Sequence, residues 1–210
     1  MKNLNVELMT LSSLFTSIII ISNIIAGKLI NIGPFILTLS ILIYPLSYAI
    51  ANIISEIYGT KISKKVIKAG FISSILLVII SFITFYFPPS PVFEYNEAYK
   101  IVFGSTSRII LASFLSYFAA QNVNIWIFNS LKSFFKIENL FFRNIISMII
   151  TQFIDSVVFV GISFYGKYDL QLLTNMILSQ YLIKLLISIL NSPIIAISVR
   201  QLKKRLILEH

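Results

Sequence analysis

The sequence predicts an all-α integral membrane protein with six transmembrane helices. The chain has 210 residues, of which 57% are hydrophobic and only 12% are charged, and its mean hydropathy is +0.90. A soluble domain carries about 25% charged residues, whereas a helix that crosses the hydrocarbon core needs about 20 apolar residues. Apolar runs near that length recur along the whole chain, at 8–26, 35–57, 66–87, 107–130, 144–165 and 170–199.

The boundaries of these spans follow from local signals. The first span, 8–26, could be taken for a signal peptide, but no small-residue cleavage site follows it. The second, 35–57, is followed by Gly59, a typical helix stop, and then by a lysine-rich stretch. The connection 88–106 holds three prolines within four residues, which predicts a stiff external loop. The sixth span is long enough to tilt, or to break near Pro193. We expect residues 1–210 to form one membrane domain.

Basic residues cluster in alternate connections, which predicts the orientation of the chain. The net charge of +9 could suggest nucleic acid, but these residues mostly flank apolar spans, where topogenic charge is the simpler interpretation. The groups predicted to be cytoplasmic are Lys2; Lys61, Lys64, Lys65 and Lys68; Lys132, Lys136 and Arg143; and Arg200, Lys203, Lys204 and Arg205. The opposite connections hold Lys28, Lys100, Arg108 and Lys167, diluted by Glu94, Glu97 and Asp169. The positive-inside rule therefore places both termini in the cytoplasm.

Residue usage excludes several kinds of chemistry. The chain has no cysteine, and its one histidine is His210, the last residue. The stretch 208–210 resembles the remnant of a purification tag and is left out of the functional interpretation. Metal catalysis and His-assisted nucleophilic catalysis lack their usual residues. We expect no metal site, no cofactor and no enzymatic activity.

Two spans carry the same stripe of polar and aromatic residues. The stripes are Gln121, Asn124 and Phe128 in the fourth span and Gln152, Asp155 and Phe159 in the fifth. Positions i, i+3 and i+7 lie on one face of a helix, so each triplet presents a single polar face. Such residues can be packing contacts between helices. Two matching stripes on neighbouring antiparallel helices also suggest an inverted repeat, with a solute site near the bilayer midplane.

Three charged residues lie within or at the edge of the predicted spans. A charge at mid-helix costs roughly 2.5–3.5 kcal/mol on insertion scales, so it normally faces a partner or a cavity. Asp155 and Lys184 lie midway along consecutive antiparallel spans, which predicts a direct ion pair. This pair is either a packing contact or a ligand or proton site. Asn52 and Glu56 are four residues apart and therefore lie on one face of the second span. They form either a second polar cluster for binding, or Glu56 is an interfacial carboxylate that a nearby lysine neutralises.

Two arginines and one asparagine are secondary candidates. Arg108 and Arg143 each open a span at its membrane edge, where arginine commonly extends towards the headgroups. Asn23 belongs to a polar segment at the end of the first span.

An ordered set of motifs runs over nearly the whole chain. The motifs are Ser22 to Lys28; Tyr44-Pro45-Leu46-Ser47, Asn52, Glu56 and Tyr58-Gly59 with the lysine cluster; Arg108 with Ala112-Ser113; both stripes; and Phe164 and Gly166. Together they resemble the queuosine precursor transporters, also called the vitamin uptake transporters. The resemblance implies a six-helix inner-membrane protein that imports a 7-deazaguanine, such as 7-cyano-7-deazaguanine, its aminomethyl form or queuine. The family usually has aspartate where this chain has Asn52 and Asn124, whereas Asp155 is retained. The amide of an asparagine can still form hydrogen bonds, but it does not take up or release a proton near neutral pH.

We therefore hypothesise a secondary transporter with alternating access and proton coupling, whose partners are the lipid bilayer and a 7-deazaguanine base but no nucleic acid. Asp155, the glutamines and Asn124 would hold the edge of the base, with Phe128 and Phe159 flanking it. The alternative is the substrate-binding subunit of an energy-coupling-factor transporter, which needs ATPase and scaffold partners. A less favoured alternative is an intramembrane enzyme or assembly factor. The precursor carried and the oligomeric state, including a homo-oligomer, stay open at this point.

Overall fold

The fold is a set of long helices with one small β-hairpin. A computed structural model describes the backbone of residues 2–133 and 140–208. Within these ranges it also describes the side chains, except those of residues 2–5, 121, 124–125, 128–129, 132–144, 191–199 and 202–208. The elements in chain order are α1 (Lys2–Ile25), β1 (Leu29–Ile32), β2 (Phe35–Thr38), a 3-10 helix (Leu39–Leu42), α2 (Tyr44–Tyr58), α3 (Thr60–Tyr86), α4 (Asn96–Ser133), α5 (Leu140–Phe164) and α6 (Leu170–Leu208). The predicted all-α membrane class is confirmed.

Five helices in the described part of the chain are long and apolar enough to cross a membrane. These segments are Val6–Ile25, Thr60–Tyr86, Asn96–Ala120, Ile145–Phe164 and Leu170–Leu190. Between 17% and 28% of the most apolar window of each is buried inside the protein. Because most of each apolar surface faces outward, its natural solvent is lipid. The protein is a multi-pass membrane protein.

The second predicted span, 35–57, is not one continuous helix. Its first residues form β2 and the 3-10 helix, and α2 has only 15 residues. The two strands pair through a two-residue turn in which Gly33 adopts φ +57. A positive φ at the first turn position, followed by a proline with fixed negative φ, has the signs of a type II′ hairpin turn. The expectation of an uninterrupted helix is wrong because Gly33-Pro34 nucleates a hairpin in an apolar sequence.

Two other predicted boundaries also change. α3 begins directly after Gly59, whose φ is +89, so the lysine cluster lies on the first turns of a helix and not in a loop. α4 begins at Asn96, within the predicted loop 88–106. The prolines stop α3, but beyond them Glu97 lies in the first turn of α4 and accepts a 2.8 Å bond from Lys100, as favoured at a helix N-terminus. α6 continues through Pro193 without a break.

The backbone divides into two compact units. The first comprises Met1–Lys28, Thr38–Ser107 and Leu186–His210, and the second comprises Leu29–Leu37 and Arg108–Leu185.

In the first unit, α3 packs through small residues. Its buried positions are Ser63, Gly70, Ser74 and Ser81, a 7–4–7 spacing that forms one seam. A Cβ at Gly70 would lie 2.8 Å from Cε1 of Phe15 on α1. Because membrane helices gain little from apolar burial against one another, close approach through small residues is a usual way for them to associate.

Candidate functional site

The candidate site is built on α5 and α6 of the second unit. The five residues 165–169 connect these helices, with Gly166 at φ +80 and Lys167 N–H donating to Phe164 O at 3.0 Å. A connection this short brings the two helices back alongside each other in opposite directions. Contacts farther along confirm the pairing, since the rings of Phe153 and Tyr181 lie 5.5 Å apart.

Asp155 and Lys184 form an ion pair between these helices. Lys184 Nζ lies 2.6 Å from Asp155 Oδ2, and the two side chains are 11% and 9% exposed, respectively. The pair predicted from the sequence is confirmed. Because both groups are removed from solvent, each depends on the other for compensation of its charge.

An aromatic ring also lies near the lysine. Lys184 Nζ lies 5.7 Å from the centroid of the buried Phe159 ring, within cation–π range. Gln152, one turn before Asp155, is half-buried, and its backbone carbonyl accepts a 2.9 Å bond from Ser156 Oγ. Asp155 and Phe159 of the second stripe therefore share Lys184 as a neighbour. Their role in binding stays a prediction.

The structure adds two polar residues of α6 that sequence reasoning missed. Ser179 Oγ accepts a 3.3 Å bond from the N–H of Ile36 in β2 and donates a 3.0 Å bond to Asn175 Oδ1, so the hairpin is attached to α6. Gln180 is 1% exposed and lies four residues before Lys184, on the same face of the helix. That spacing from a charged residue was the signal available in the sequence.

Arg108 holds the end of α5. Its Nε donates to Ile162 O at 2.5 Å and its Nη2 donates to Tyr165 O at 2.6 Å. Carbonyl groups at a helix C-terminus lack intrahelical partners and carry partial negative charge. The guanidinium therefore caps α5 from α4 and fixes the start of the connection to α6.

Comparison with known proteins decides the family. A family model described as "Putative vitamin uptake transporter" matches residues 38–198, most of the chain. The chain belongs to this family. A curated relative from Bacillus subtilis (strain 168), named "Probable queuosine precursor transporter", is 23% identical over 173 residues, covering 82% of this chain and 76% of the relative. No solved structure matches.

Membership in the vitamin uptake transporter family confirms the resemblance inferred from the motifs. The family is one of transporters, so the expectation that the chain is not an enzyme is confirmed as well. The matched range includes all of α5 and extends to residue 198 of α6, so the candidate site lies inside the family region.

The remaining candidate residues that the structure describes belong to the first unit. Asn23 is buried, and its Nδ2 donates a 3.3 Å bond to Ser74 Oγ of α3. Asn52 and Glu56 are exposed on α2. Asn23 therefore has a packing partner, and a binding role for Asn52 or Glu56 stays a prediction.

Four predicted site residues have side chains outside the described residues: Gln121, Asn124, Phe128 and Arg143. The first stripe and the second arginine accordingly stay predictions. Trp126, beside the first stripe, is 69% exposed. This exposure agrees with contact to lipid or the membrane interface rather than with stacking on a solute.

Proposed function

We propose that this protein imports a queuosine precursor, a 7-deazaguanine base, as a secondary transporter with alternating access. Membership in a transporter family and the name of the Bacillus relative support this assignment. The observation that carries it is the buried Asp155–Lys184 pair beside Phe159, on two membrane helices. Ionisable groups at such a position commonly mark the path of a solute or proton.

The chemistry of the pair suits the proposed solute. A deazaguanine edge presents a lactam carbonyl, a ring N–H and an exocyclic amine. The carboxylate of Asp155 can accept from the N–H and the amine together. Phe159 supplies a ring for stacking, a contact worth about 1–3 kcal/mol in nucleobase sites. Gln152, and Gln121, Asn124 and Phe128 of the first stripe, would surround the base.

A sixth crossing by α2 is part of the proposal. A 15-residue helix is about 22 Å long, shorter than the hydrocarbon core of about 30 Å. β2 and the 3-10 helix would complete the crossing, because Leu37, Thr38 and Ile41 are 0–4% exposed. Irregular backbone is tolerated at membrane depth where protein covers it.

The proposal includes an orientation and an energy source, both supported by charged residues. The exposed lysines at the start of α3, Lys61, Lys64, Lys65 and Lys68, support cytoplasmic termini, and the family resemblance implies a cell inner membrane. Asp155 or Glu56 would carry the coupled proton, since the amides of Asn52 and Asn124 do not take up or release a proton near neutral pH. The inverted repeat and a homo-oligomeric assembly belong to the same hypothesis.

The test measures the queuosine content of tRNA in a cell that cannot make the precursor. Each candidate base is fed in turn to cells with the wild-type chain, the Asp155→Asn variant or no transporter. Queuosine that appears only with the wild-type chain supports the proposal, whereas its absence with every base overturns it. Full activity of Asp155→Asn would remove Asp155 as an essential acid.

Uptake by the purified chain in proteoliposomes tests the transport class. Accumulation that follows an imposed proton gradient supports a proton-coupled secondary transporter. A requirement for ATP and added partner subunits would instead establish the energy-coupling-factor alternative.

A further inference from the structure

We propose that Gln180 is a substrate-binding residue whose side-chain amide donates a hydrogen bond to the carbonyl oxygen of the transported base. The inference rests on the proposed function and extends it by one residue that fixes specificity. Its place is the face of α6 that carries Lys184, one helical turn away.

The first observation is an unpaired amide. Gln180 is 1% exposed, and its Nε2 is a buried donor without a hydrogen-bond partner among the described residues. A buried polar group that forms no hydrogen bond is disfavoured, and more so in a protein surrounded by lipid. A ligand that accepts from Nε2 would remove that penalty when it binds.

The second observation is the register of the two helices. Lys184 contacts Asp155 and lies over the ring of Phe159. Tyr181, the residue next to Gln180, has its ring 5.5 Å from the ring of Phe153 on α5, two residues before Asp155. Gln180 therefore lies in the same part of the α5–α6 interface as the ion pair.

The third observation is the contrast with the neighbouring residue. Ser179 accepts from the hairpin and donates to Asn175, as expected of a polar residue that serves helix packing. The Nε2 group of Gln180, in contrast, donates to no acceptor among the described residues. A packing role alone would be met at lower cost by an apolar side chain of similar size.

The chemistry of the base matches this arrangement. Asp155 can accept hydrogen bonds but, when ionised, donates none, so it pairs with the ring N–H and the amine and leaves the lactam carbonyl unmatched. The NH₂ group of a glutamine is a donor of the required kind. A carboxylate on one helix and an amide on its neighbour, in the same part of their interface, can hold opposite ends of one hydrogen-bonding edge.

The experiment measures the dissociation constant of the purified full chain for two compounds. They are 7-cyano-7-deazaguanine and its 6-thio analogue, which keeps the ring N–H and the amine but has a weakly accepting sulfur in place of the carbonyl oxygen. The variants are Gln180→Leu and Gln180→Met, which keep the approximate size without the amide. Gln171→Leu, at an exposed glutamine near the start of α6, is the matched control.

We expect wild type and Gln171→Leu to bind the oxo compound about tenfold more tightly than the thio compound. In both Gln180 variants the oxo compound should bind about tenfold more weakly, and the preference for oxygen should fall towards one. Their melting temperatures should equal or exceed that of wild type, because an unpaired buried donor has been removed.

Two outcomes overturn the inference, and they are distinguishable. A preference for oxygen that is unchanged in the Gln180 variants would show that the amide does not contact the carbonyl. Failure of the wild-type chain to bind either compound would overturn the proposed function itself, and the inference with it.

Discussion

Removing one partner of the Asp155–Lys184 pair should destabilise the protein more than neutralising both. The charged atoms are 2.6 Å apart, so their attraction is about 6 kcal/mol at an effective dielectric constant of 20. Loss of hydration offsets much of that attraction in the folded state. A single substitution removes the attraction but leaves one buried charge without compensation, which costs about 3–5 kcal/mol. Replacing both charges by neutral side chains should cost far less.

The assay is reversible unfolding in mixed micelles of the single variants Asp155→Asn and Lys184→Met and of the double variant. The pair Glu97–Lys100 provides the control, because its Lys and Glu side chains are 50% and 79% exposed. Lys100→Met should lower the unfolding free energy by at most about 1 kcal/mol. Additive effects of the two buried substitutions would refute the reasoning, since they would mean that the charges do not depend on each other.

Uptake by the same variants separates packing from transport. If the pair binds solute or a proton, the double variant should regain stability and still fail to transport the base. Full uptake by a stable double variant would show that the pair serves only to hold α5 against α6.

Three further substitutions test neighbouring features. Gly70→Ala should destabilise the first unit by about 1–3 kcal/mol in unfolding assays, because its Cβ would lie 2.8 Å from Phe15. Gly104→Ala is the control and should be neutral or stabilising, since its Cβ would make an ordinary 3.7 Å contact. Equal effects of the two substitutions would contradict the packing argument. Arg108→Lys keeps the charge but loses the planar guanidinium group that reaches Ile162 O and Tyr165 O. The free energy of unfolding should therefore fall by about 1–3 kcal/mol. An unchanged free energy of unfolding would show that Arg108 does not stabilise the end of α5. Phe159→Leu should raise the dissociation constant for the base about fivefold or more through lost stacking; unchanged binding would place the ring outside the site.

The best-predicted parts of the fold are those where one signal dominates. α1 and α5 extend the predicted spans 8–26 and 144–165 by a few residues at their N-termini and end one residue earlier, since apolar runs of membrane length define them. The Asp155–Lys184 pair could also be predicted, because opposite charges at mid-depth on consecutive helices have few other partners.

The hairpin was missed because hydropathy does not distinguish a buried strand from a helix in a short apolar run. β1 and β2 are four residues each, and an apolar sequence continues from β2 into α2. The start of α4 was missed for a different reason. Prolines 88–91 end one helix, but they say little about where the next begins.

Gln180 was missed because its spacing of four residues from Lys184 does not reveal whether its amide is paired. The pairing of the amide depends on the neighbouring helix, which the sequence alone does not place.

The distribution of unsatisfied polar groups separates packing from binding. In α3 of the first unit, Ser63 Oγ, Ser74 Oγ and Ser81 Oγ bond to backbone carbonyls, and buried Asn23 bonds to Ser74. Among the described residues, four buried side chains have an unpaired polar atom: Ser22, Ser147, Ser163 and Gln180. Three of these four lie on α5 and α6, the helices that also hold the buried ion pair. Polar groups that serve helix packing tend to be satisfied within the protein. Buried polar groups without a partner are instead concentrated, in the described part of the chain, on α5 and α6. This is the physical reason to expect the solute at these two helices.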